Sequence, residues 1–245
     1  MIDIRGTFKE KDFLEKLEIF KREKKHNVFV EPFLNFTNAK CPYCEVDLLN
    51  NLDSRKIEAT IDHYRPKEYY PKIKSVYQNY ILMCNDCNNA YKGSEFLIYK
   101  DSKVYKQTKQ VVNRSDIEAE KPLIVNPIKD NIFDIFILKF KYTNKGKILE
   151  LYPKYTEKEN SYFYLKAQET IKLFALGNCE NIDNSKDVNR CRIILLKQHF
   201  SNFYGFLEAL QKEDFKEASQ IRKNKSLDDY GFMDFIKQKL FRVEV

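Results

Sequence analysis

Apolar residues near the start of the chain recur at helical spacing. Intervals of four and three residues place one set on a single helix face: Phe13, Leu17 and Phe20. Thr7 and Glu10 form a capping-box pattern ahead of this set, which indicates that the helix begins at Thr7. The pattern ends in the charged run at residues 21–25, and Pro32 favours the start of a second short helix. The N-terminal segment, residues 1–40, is therefore predicted to be helical.

The next segment, residues 41–95, changes to short apolar runs. Residues 56–62 and 79–83 predict two short strands. A helical pattern starts inside the second of two cysteine pairs and continues toward Lys92, where Gly93 is a typical C-terminal stop. This segment is predicted to form a small unit of strands and one helix.

Residues 96–245 are mostly helical in pattern but contain one clear hairpin. In "EKPLIVNPIKDN", residues 120–131, two prolines bracket a short apolar strand. The hairpin follows, because apolar residues at 138, 140 and 142 alternate with lysines, "TNKG" makes a turn, and residues 148–152 return as its partner strand. The pattern as a whole predicts an α+β fold.

Helices account for most of the remaining chain. Thr156 and Glu159 repeat the capping-box signal before a helix that stops at Gly177. A long amphipathic helix is predicted over residues 185–212, and two shorter helices close the chain. The apolar side of the helix predicted over residues 185–212 carries Val188, Cys191, Leu195, Phe206 and Leu210.

Composition is that of a globular protein, with 43% hydrophobic and 32% charged residues among 245. No apolar stretch is long enough to cross a bilayer, and "MIDIRGTFKEKDF" lacks the basic start and apolar centre of a signal peptide. These features predict a cytoplasmic protein without a membrane partner. In a reducing compartment disulfides rarely persist, so cysteines at fixed spacing are interpreted first as metal ligands.

The net charge of +7 is concentrated in one stretch. Residues 64–109 contain nine lysines or arginines against four acidic residues, a surplus of five, with eight tyrosines among them. Such a surface suits nucleic acid, because cations neutralise phosphates and aromatic rings pack on sugars or bases. A solvated face of a lysine-rich protein explains the charge equally well.

The cysteines give the strongest chemical signal. Two CxxC pairs, Cys41 with Cys44 and Cys84 with Cys87, supply four thiolates for one tetrahedral Zn²⁺. The alternative of buried thiols plus a redox motif does not explain why there are two pairs. Because 39 residues separate the pairs, we expect the zinc to pin the base of an inserted unit. Cys179 and Cys191 stand outside this pattern and are predicted to be small buried hydrophobes.

A four-thiolate zinc has no open position, so catalysis requires another centre. Carboxylate and amide oxygens suit Mg²⁺ beside a phosphate, while a neutral histidine can take a proton from water near pH 7. The candidates lie between and just after the cysteine pairs: Asp62, His63, Asn79, Asn88, Asn89 and Lys92.

The segments "CPYC", "IDHYRP" and "YQNYILMCNDCNNAYKG" resemble the zinc-framed HNH endonucleases, over residues 41–93 and in the family's order. The resemblance implies a ββα-metal core in which Asp62 binds the catalytic metal and His63 is the general base. It also implies that Asn79, the middle residue, holds the histidine-bearing strand in register. Asn88 becomes the second metal ligand, where many members have His, and this amide favours Mg²⁺ or Mn²⁺ over softer ions.

A narrower similarity is to the HNH subunit of Septu-type and retron-associated anti-phage systems. It rests on "IDHYRPK", "NYILMCNDCN", "YKG", "EKPLIVNP" and "ALGN", followed by a predicted helix with Arg190 and Arg192. This similarity implies an ABC-like ATPase partner, with the C-terminal helices as the docking surface that restrains the nuclease.

Several assignments stay open at the level of sequence. Asn89 competes with Asn88 for the ligand position, with Asn88 preferred. Two interpretations remain for Arg65, Lys67 and Lys92: each either contacts backbone phosphates or is simply a solvated side chain. DNA is the favoured substrate, RNA such as transfer RNA is the alternative, and a zinc-dependent binding module without catalysis is the rival class.

Overall fold

Small sheets and short helices make up the described part of the chain in a computed structural model. That part comprises residues 4–5, 11, 14–15, 18–19, 30, 33–34, 37, 39–50, 56–57, 59–143, 146–176, 204–224, 231–238 and 241–244. The strands are β1 (Leu49–Asn50), β2 (Lys56–Ile57), β3 (Ala59–His63), β4 (Tyr80–Cys84), β5 (Leu97–Lys100), β6 (Lys103–Lys106), β7 (Lys121–Pro122), β8 (Phe136–Thr143), β9 (Gly146–Pro153) and β10 (Phe241–Glu244).

The helices are mostly short. Beyond residue 40, the α-helices of the described part are α1 (Arg114–Ala119), α2 (Ile132–Ile135), α3 (Ser161–Phe174), α4 (204–211), α5 (Phe215–Asn224) and α6 (Gly231–Lys237). A helix of π type spans Asp86–Lys92, and two 3₁₀ turns lie at Pro71–Ile73 and Tyr77–Asn79. Within the described residues, none of these helices combines the length and apolar character needed to cross a bilayer.

The predicted strand pair and helix of the cysteine-framed segment are present. β3 pairs antiparallel with β4, so that Ala59 lies opposite Cys84 and His63 opposite Tyr80. The π helix follows β4 and ends as expected, because Gly93 takes a positive φ of 48° and donates its N–H to the Asn88 carbonyl. The chain thus forms a strand, a strand and a helix in succession, with a loop of 3₁₀ turns between the strands.

The predicted hairpin beyond residue 135 is also confirmed. β8 and β9 pair in antiparallel register from Phe136 opposite Pro153 to Thr143 opposite Gly146. The last strand was not predicted, since the pattern indicated only helices at the end of the chain. β10 instead pairs in parallel with β8 and completes a sheet of order β10, β8, β9.

The strand predicted between the two prolines is wrong in extent. Only β7, two residues long, pairs with β5. The Leu123 N–H still donates to the Leu97 carbonyl of β5, and Ile124 and Val125 then leave the sheet although they are fully buried. Side chains satisfy their backbone in place of a neighbouring strand: the Tyr64 hydroxyl donates to the Ile124 carbonyl, the Tyr43 hydroxyl donates to the Val125 carbonyl, and the Val125 N–H donates to Thr170 Oγ1.

Helix α3 begins later than its capping-box signal. Thr156 and Glu159 do pair through side chain and backbone, but they close a turn ahead of the helix. Asn160 is the N-cap, since its side-chain oxygen accepts the Phe163 N–H. The helix ends at Phe174, where Ala175 takes a left-handed conformation.

The buried residues join the cysteine-framed segment to the chain beyond it. One hydrophobic cluster runs from Ile4 through the cysteines to Phe235. The Tyr43 ring, inside the first CxxC pair, stacks on Phe174 of α3 at 4.1 Å between ring centroids. The two sides of residue 95 therefore share one core. Cys179, Cys191 and most of the predicted amphipathic helix lie outside the described residues.

Candidate functional site

The four cysteines of the two CxxC pairs meet at one place. Their sulfur atoms all lie within 4.8 Å of one another, and the Cys44 and Cys84 sulfurs are 3.6 Å apart. A tight turn carries Cys41 and Cys44, in which Cys41 donates to Val46 and accepts from Glu45. Cys84 ends β4 and Cys87 lies in the π helix, with its N–H 3.4 Å from the Cys84 sulfur.

This cluster fits a tetrahedral metal ion. Sulfurs at about 2.3 Å from a zinc would lie roughly 3.8 Å apart, close to the separation seen here. Hydrogen bonds from the Cys41 and Cys44 thiols lower the pKa of Cys84, whereas burial raises the pKa of Cys87, so it is the geometry of the sulfurs that favours a metal here. The predicted four-cysteine cluster is therefore present in the fold, and its sulfurs could hold a metal ion.

Asp62 and Lys92 form a buried ion pair next to this centre. Both side chains are almost completely buried, and Lys92 Nζ donates to Asp62 Oδ1 at 3.0 Å and to the His63 carbonyl at 2.9 Å. Burial raises the pKa of Asp62 and lowers that of Lys92, while the attraction between the two groups opposes both shifts. The pair ties the end of β3 to the last turn of the π helix.

The Oδ2 atom of Asp62 retains the capacity to accept a further hydrogen bond or to bind a cation. Lys92 Nζ lies 2.9 Å from Oδ2, but its hydrogen bonds are directed at Oδ1 and at the backbone. Oδ2 is buried and, apart from this ammonium, has no hydrogen-bond donor among the described residues. A buried carboxylate oxygen in this condition fits a hard cation or a further donor.

Asn88 lies on the same side of the strand as Asp62. Its Nδ2 donates to Thr60 Oγ1 at 2.9 Å, and Thr60 and Asp62 share one face of β3 because they are two residues apart. Asn89 instead donates to the exposed Asn85 side chain. The geometry favours Asn88 over Asn89 as an oxygen donor near Asp62.

His63 is held in one tautomer at the end of β3. Its Nε2 lies 2.8 Å from the Lys74 carbonyl oxygen, and since a carbonyl only accepts, Nε2 carries the proton and Nδ1 is left as the basic nitrogen. The ring packs edge to face on Tyr80 at 5.1 Å. Partial burial lowers the pKa of His63, whereas the Lys74 carbonyl and Asp62 oppose this shift, so the neutral form prevails at pH 7.

Asn79 joins the exit of β3 to the entrance of β4. Its Oδ1 accepts the Arg65 N–H at 2.8 Å, and its Nδ2 donates to the Arg65 carbonyl at 2.9 Å. The Asn79 carbonyl also accepts the Tyr64 N–H. The buried amide thereby fixes the backbone just beyond His63.

The structure corrects two of the three predicted phosphate contacts. Lys92 is buried against Asp62, so its ammonium does not face solvent. Arg65 is also turned inward, where it donates to the Ile117 carbonyl at 2.9 Å and pairs with Glu120 at 3.2 Å, both side chains being 11% exposed. Lys67 alone of the three has an exposed side chain.

Two participants in the site carried no sequence signal of their own. The Lys74 carbonyl that orients His63 is a backbone group, and Tyr80 donates its hydroxyl to the same carbonyl at 3.1 Å. Tyr80 lies directly opposite His63 in the strand register. Only the pairing of "IDH" with "YIL" would have identified it.

Removing Lys92 is expected to destabilise the fold. Lys92→Met leaves the Asp62 carboxylate buried without its partner, which should lower the free energy of unfolding by about 3–5 kcal/mol in urea titrations at neutral pH. Asp62→Asn combined with Lys92→Met removes both charges and should recover much of this loss. As a matched control, Arg114→Met breaks an exposed pair with Glu118 and should cost less than about 0.5 kcal/mol. An equal loss in both single variants would contradict a structural role for the buried pair.

Taken together, fold and site define a mixed α/β protein with a four-cysteine cluster that could hold a metal, beside a strand pair that carries Asp62 and an oriented His63. Among known proteins, the Septu protein PtuB of Bacillus thuringiensis is 27% identical over 117 residues, which cover 48% of this chain. The match spans 35% of PtuB, so the chain covers about a third of that relative's length. No protein-family model matches the chain, and no solved structure matches it.

Proposed function

We propose that the chain is a metal-dependent HNH endonuclease with a ββα-metal core that hydrolyses phosphodiester bonds of nucleic acid, DNA being favoured. The observation that carries the proposal is the state of His63. Its Nε2–H is committed to the Lys74 carbonyl, which leaves a neutral Nδ1 as the proton acceptor on the strand that also carries Asp62. A general base needs a free, neutral nitrogen of this kind at the pH of the reaction.

The residues around His63 divide the remaining tasks. Asp62 through Oδ2, and Asn88 through its amide oxygen, would hold a Mg²⁺ or Mn²⁺ ion. When bound, such an ion stabilises negative charge on the phosphate and on the leaving oxygen. His63 takes the proton of a water molecule aligned for in-line attack, and the products carry 5′ phosphate and 3′ hydroxyl ends. Asn79 keeps the backbone beyond His63 in place.

The four cysteines have a separate role in this proposal. Four thiolates would bind a structural Zn²⁺ and leave it no open position for water or substrate. Cysteines on the turn at residues 41–44, at the end of β4 and in the π helix would hold this zinc, and the π helix also carries the Asn88 and Lys92 side chains. Its contribution is to hold the site together.

The similarity to PtuB supports a role in anti-phage defence. We propose that the chain is the nuclease effector of such a system and works with an ABC-like ATPase partner. The C-terminal region, whose described helices α4, α5 and α6 lie beyond the proposed nuclease core, is the proposed docking surface for that partner.

One observation favours a second function. Asp62 already forms a buried ion pair with Lys92, and such a pair is expected if the Asp62 carboxylate has a purely structural role. The chain would then be a zinc-dependent nucleic-acid-binding module without catalysis, in which Asp62 and His63 complete a strand.

A cleavage assay separates these functions. The purified chain, with and without the product of a neighbouring ATPase gene, is incubated with plasmid DNA and with total RNA in Mg²⁺, Mn²⁺ or chelator. We expect nicked and linear plasmid only with Mg²⁺ or Mn²⁺. Metal-dependent shortening of RNA alone would assign RNA as the substrate. Retention of nucleic acid without any change in its length, in every metal and with the partner present, would contradict the nuclease and leave the binding module.

A further inference from the structure

A basic surface extends from the loop that orients His63 to the edge strand β6. It is formed by residues 66–76 and 95–109, which contain seven lysines against three acidic residues. All seven lysine side chains are exposed: Lys67, Lys72, Lys74, Lys100, Lys103, Lys106 and Lys109. We call the surface formed by residues 66–76 and 95–109 the basic edge. The proposed mechanism uses only the Lys74 carbonyl from this set.

The two parts of the basic edge are physically joined. The Val111 N–H donates to the Tyr69 carbonyl at 2.8 Å, which holds the chain after β6 against the loop between β3 and β4. The Gln107 N–H donates to the Phe96 carbonyl at the base of the hairpin. The loop in turn contacts the site directly, because His63 and Tyr80 both donate to Lys74. The lysines therefore lie on two connected segments, one of which holds the protonated Nε2 of His63 through the Lys74 carbonyl.

Strand β6 has the exposure of a binding edge. All four of its residues are exposed, and within the described part of the chain it pairs only with β5. Successive strand residues point to opposite faces, so Lys103 and Lys106 reach out on the two sides of the edge. Val104 and Tyr105, which are 40% and 41% exposed, stand between them. An uncharged partner would leave these cations unmatched.

Few acidic groups on the basic edge offset its charge. Lys106 pairs with Glu95, but Lys103 and Lys109 make no ion pair within the residues that the structure describes. Glu68 and Asp101 are the two other acidic residues, both exposed. The complementary partner is a polyanion with regularly spaced charges, and a nucleic-acid backbone meets this description.

We infer that the basic edge is the substrate-binding track of the protein, along which the phosphate backbone of a nucleic acid runs from His63 to β6. The inference rests on the proposed function for the direction of the track, but binding along it does not depend on cleavage. In this arrangement the lysines of the basic edge make the phosphate contacts, because Arg65 and Lys92 are turned inward and cannot make them.

The test compares two variants with the same change in charge. Lys103→Gln with Lys109→Gln alters the basic edge, and Lys216→Gln with Lys223→Gln alters exposed lysines of α5. Binding of the full chain to labelled duplex DNA, single-stranded DNA and RNA of one sequence is measured by fluorescence anisotropy in chelator, so that no cleavage occurs. A salt series gives the slope of log affinity against log salt.

We expect the basic-edge variant to bind at least about tenfold more weakly at low salt, with the salt slope for duplex reduced by about two. The α5 variant should stay within about twofold of the original chain. Equal affinity and equal slope in the basic-edge variant would overturn the inference even if the original chain cleaves DNA. Lost affinity in a chain that cleaves nothing would support the track and contradict the nuclease.

Discussion

Replacing His63 by alanine is expected to abolish cleavage and to leave the protein folded. The imidazole is half-buried and contacts the Lys74 carbonyl and the Tyr80 ring, so its removal opens little of the core. A positioned general base typically contributes about 10²–10⁴-fold to a rate, and plasmid nicking should fall by at least this range. Initial rates with Mg²⁺ give the measurement, while zinc content and the thermal midpoint show that the fold is intact.

His63→Asn is the matched variant for this prediction. Its amide N–H can replace the donor to Lys74, but it supplies no basic nitrogen, so it should be as inactive as His63→Ala. Because burial lowers the pKa of His63 below its ordinary 6.5, the base form persists to lower pH, and the rate should decline only as pH falls through that lowered pKa. Cleavage by His63→Asn at the original rate would remove His63 from the mechanism.

Replacing Cys84 by serine is expected to cost both metal and fold. Cys84 ends β4 opposite Ala59, and its sulfur meets those of the turn at residues 41–44 and of the π helix. Metal binding to such sites is coupled to folding, with apparent free energies of about 10–16 kcal/mol in zinc-finger peptides. We expect insoluble protein, or soluble protein that lacks zinc and melts at a clearly lower temperature, as judged by metal analysis and circular dichroism.

Cys179→Ser and Cys191→Ser provide controls for this prediction. Both cysteines lie outside the two CxxC pairs and outside the described residues, so the metal content should stay near that of the original chain. If Cys84→Ser protein keeps the same zinc content and thermal midpoint, the four-cysteine site has no structural role.

Elements with local signals were predictable from the sequence. The π helix ends at Gly93 because glycine adopts a positive φ without steric cost, and the β8–β9 hairpin follows from alternating residues around a turn. The meeting of the four cysteines was predictable because two CxxC pairs in one chain are typical of a four-thiolate metal site. In each case the spacing of residues along the chain carries the information.

The sites of Arg65 and Lys92 were not predictable in this way. Both lie among lysines and tyrosines, where a solvated or phosphate-binding side chain is the ordinary expectation. The Arg65 partner, Glu120, is 55 residues away, and the Lys92 partner, Asp62, is 30 residues away. The identity of a charged residue does not show whether it is buried or exposed. Its burial depends on whether distant elements of the chain pack over it.

The sequence by itself determined the cysteine frame, the adjacent Asp62 and His63, and the order of strands and helix around them, because spacing and periodicity act over a few residues. Tertiary structure decided which nitrogen of His63 is basic, through the Lys74 carbonyl. It also decided that Lys92 neutralises Asp62, that Ile124 and Val125 leave the sheet, and that β10 joins β8. These outcomes depend on contacts between distant parts of the chain, whose free energy exists only once the core has formed.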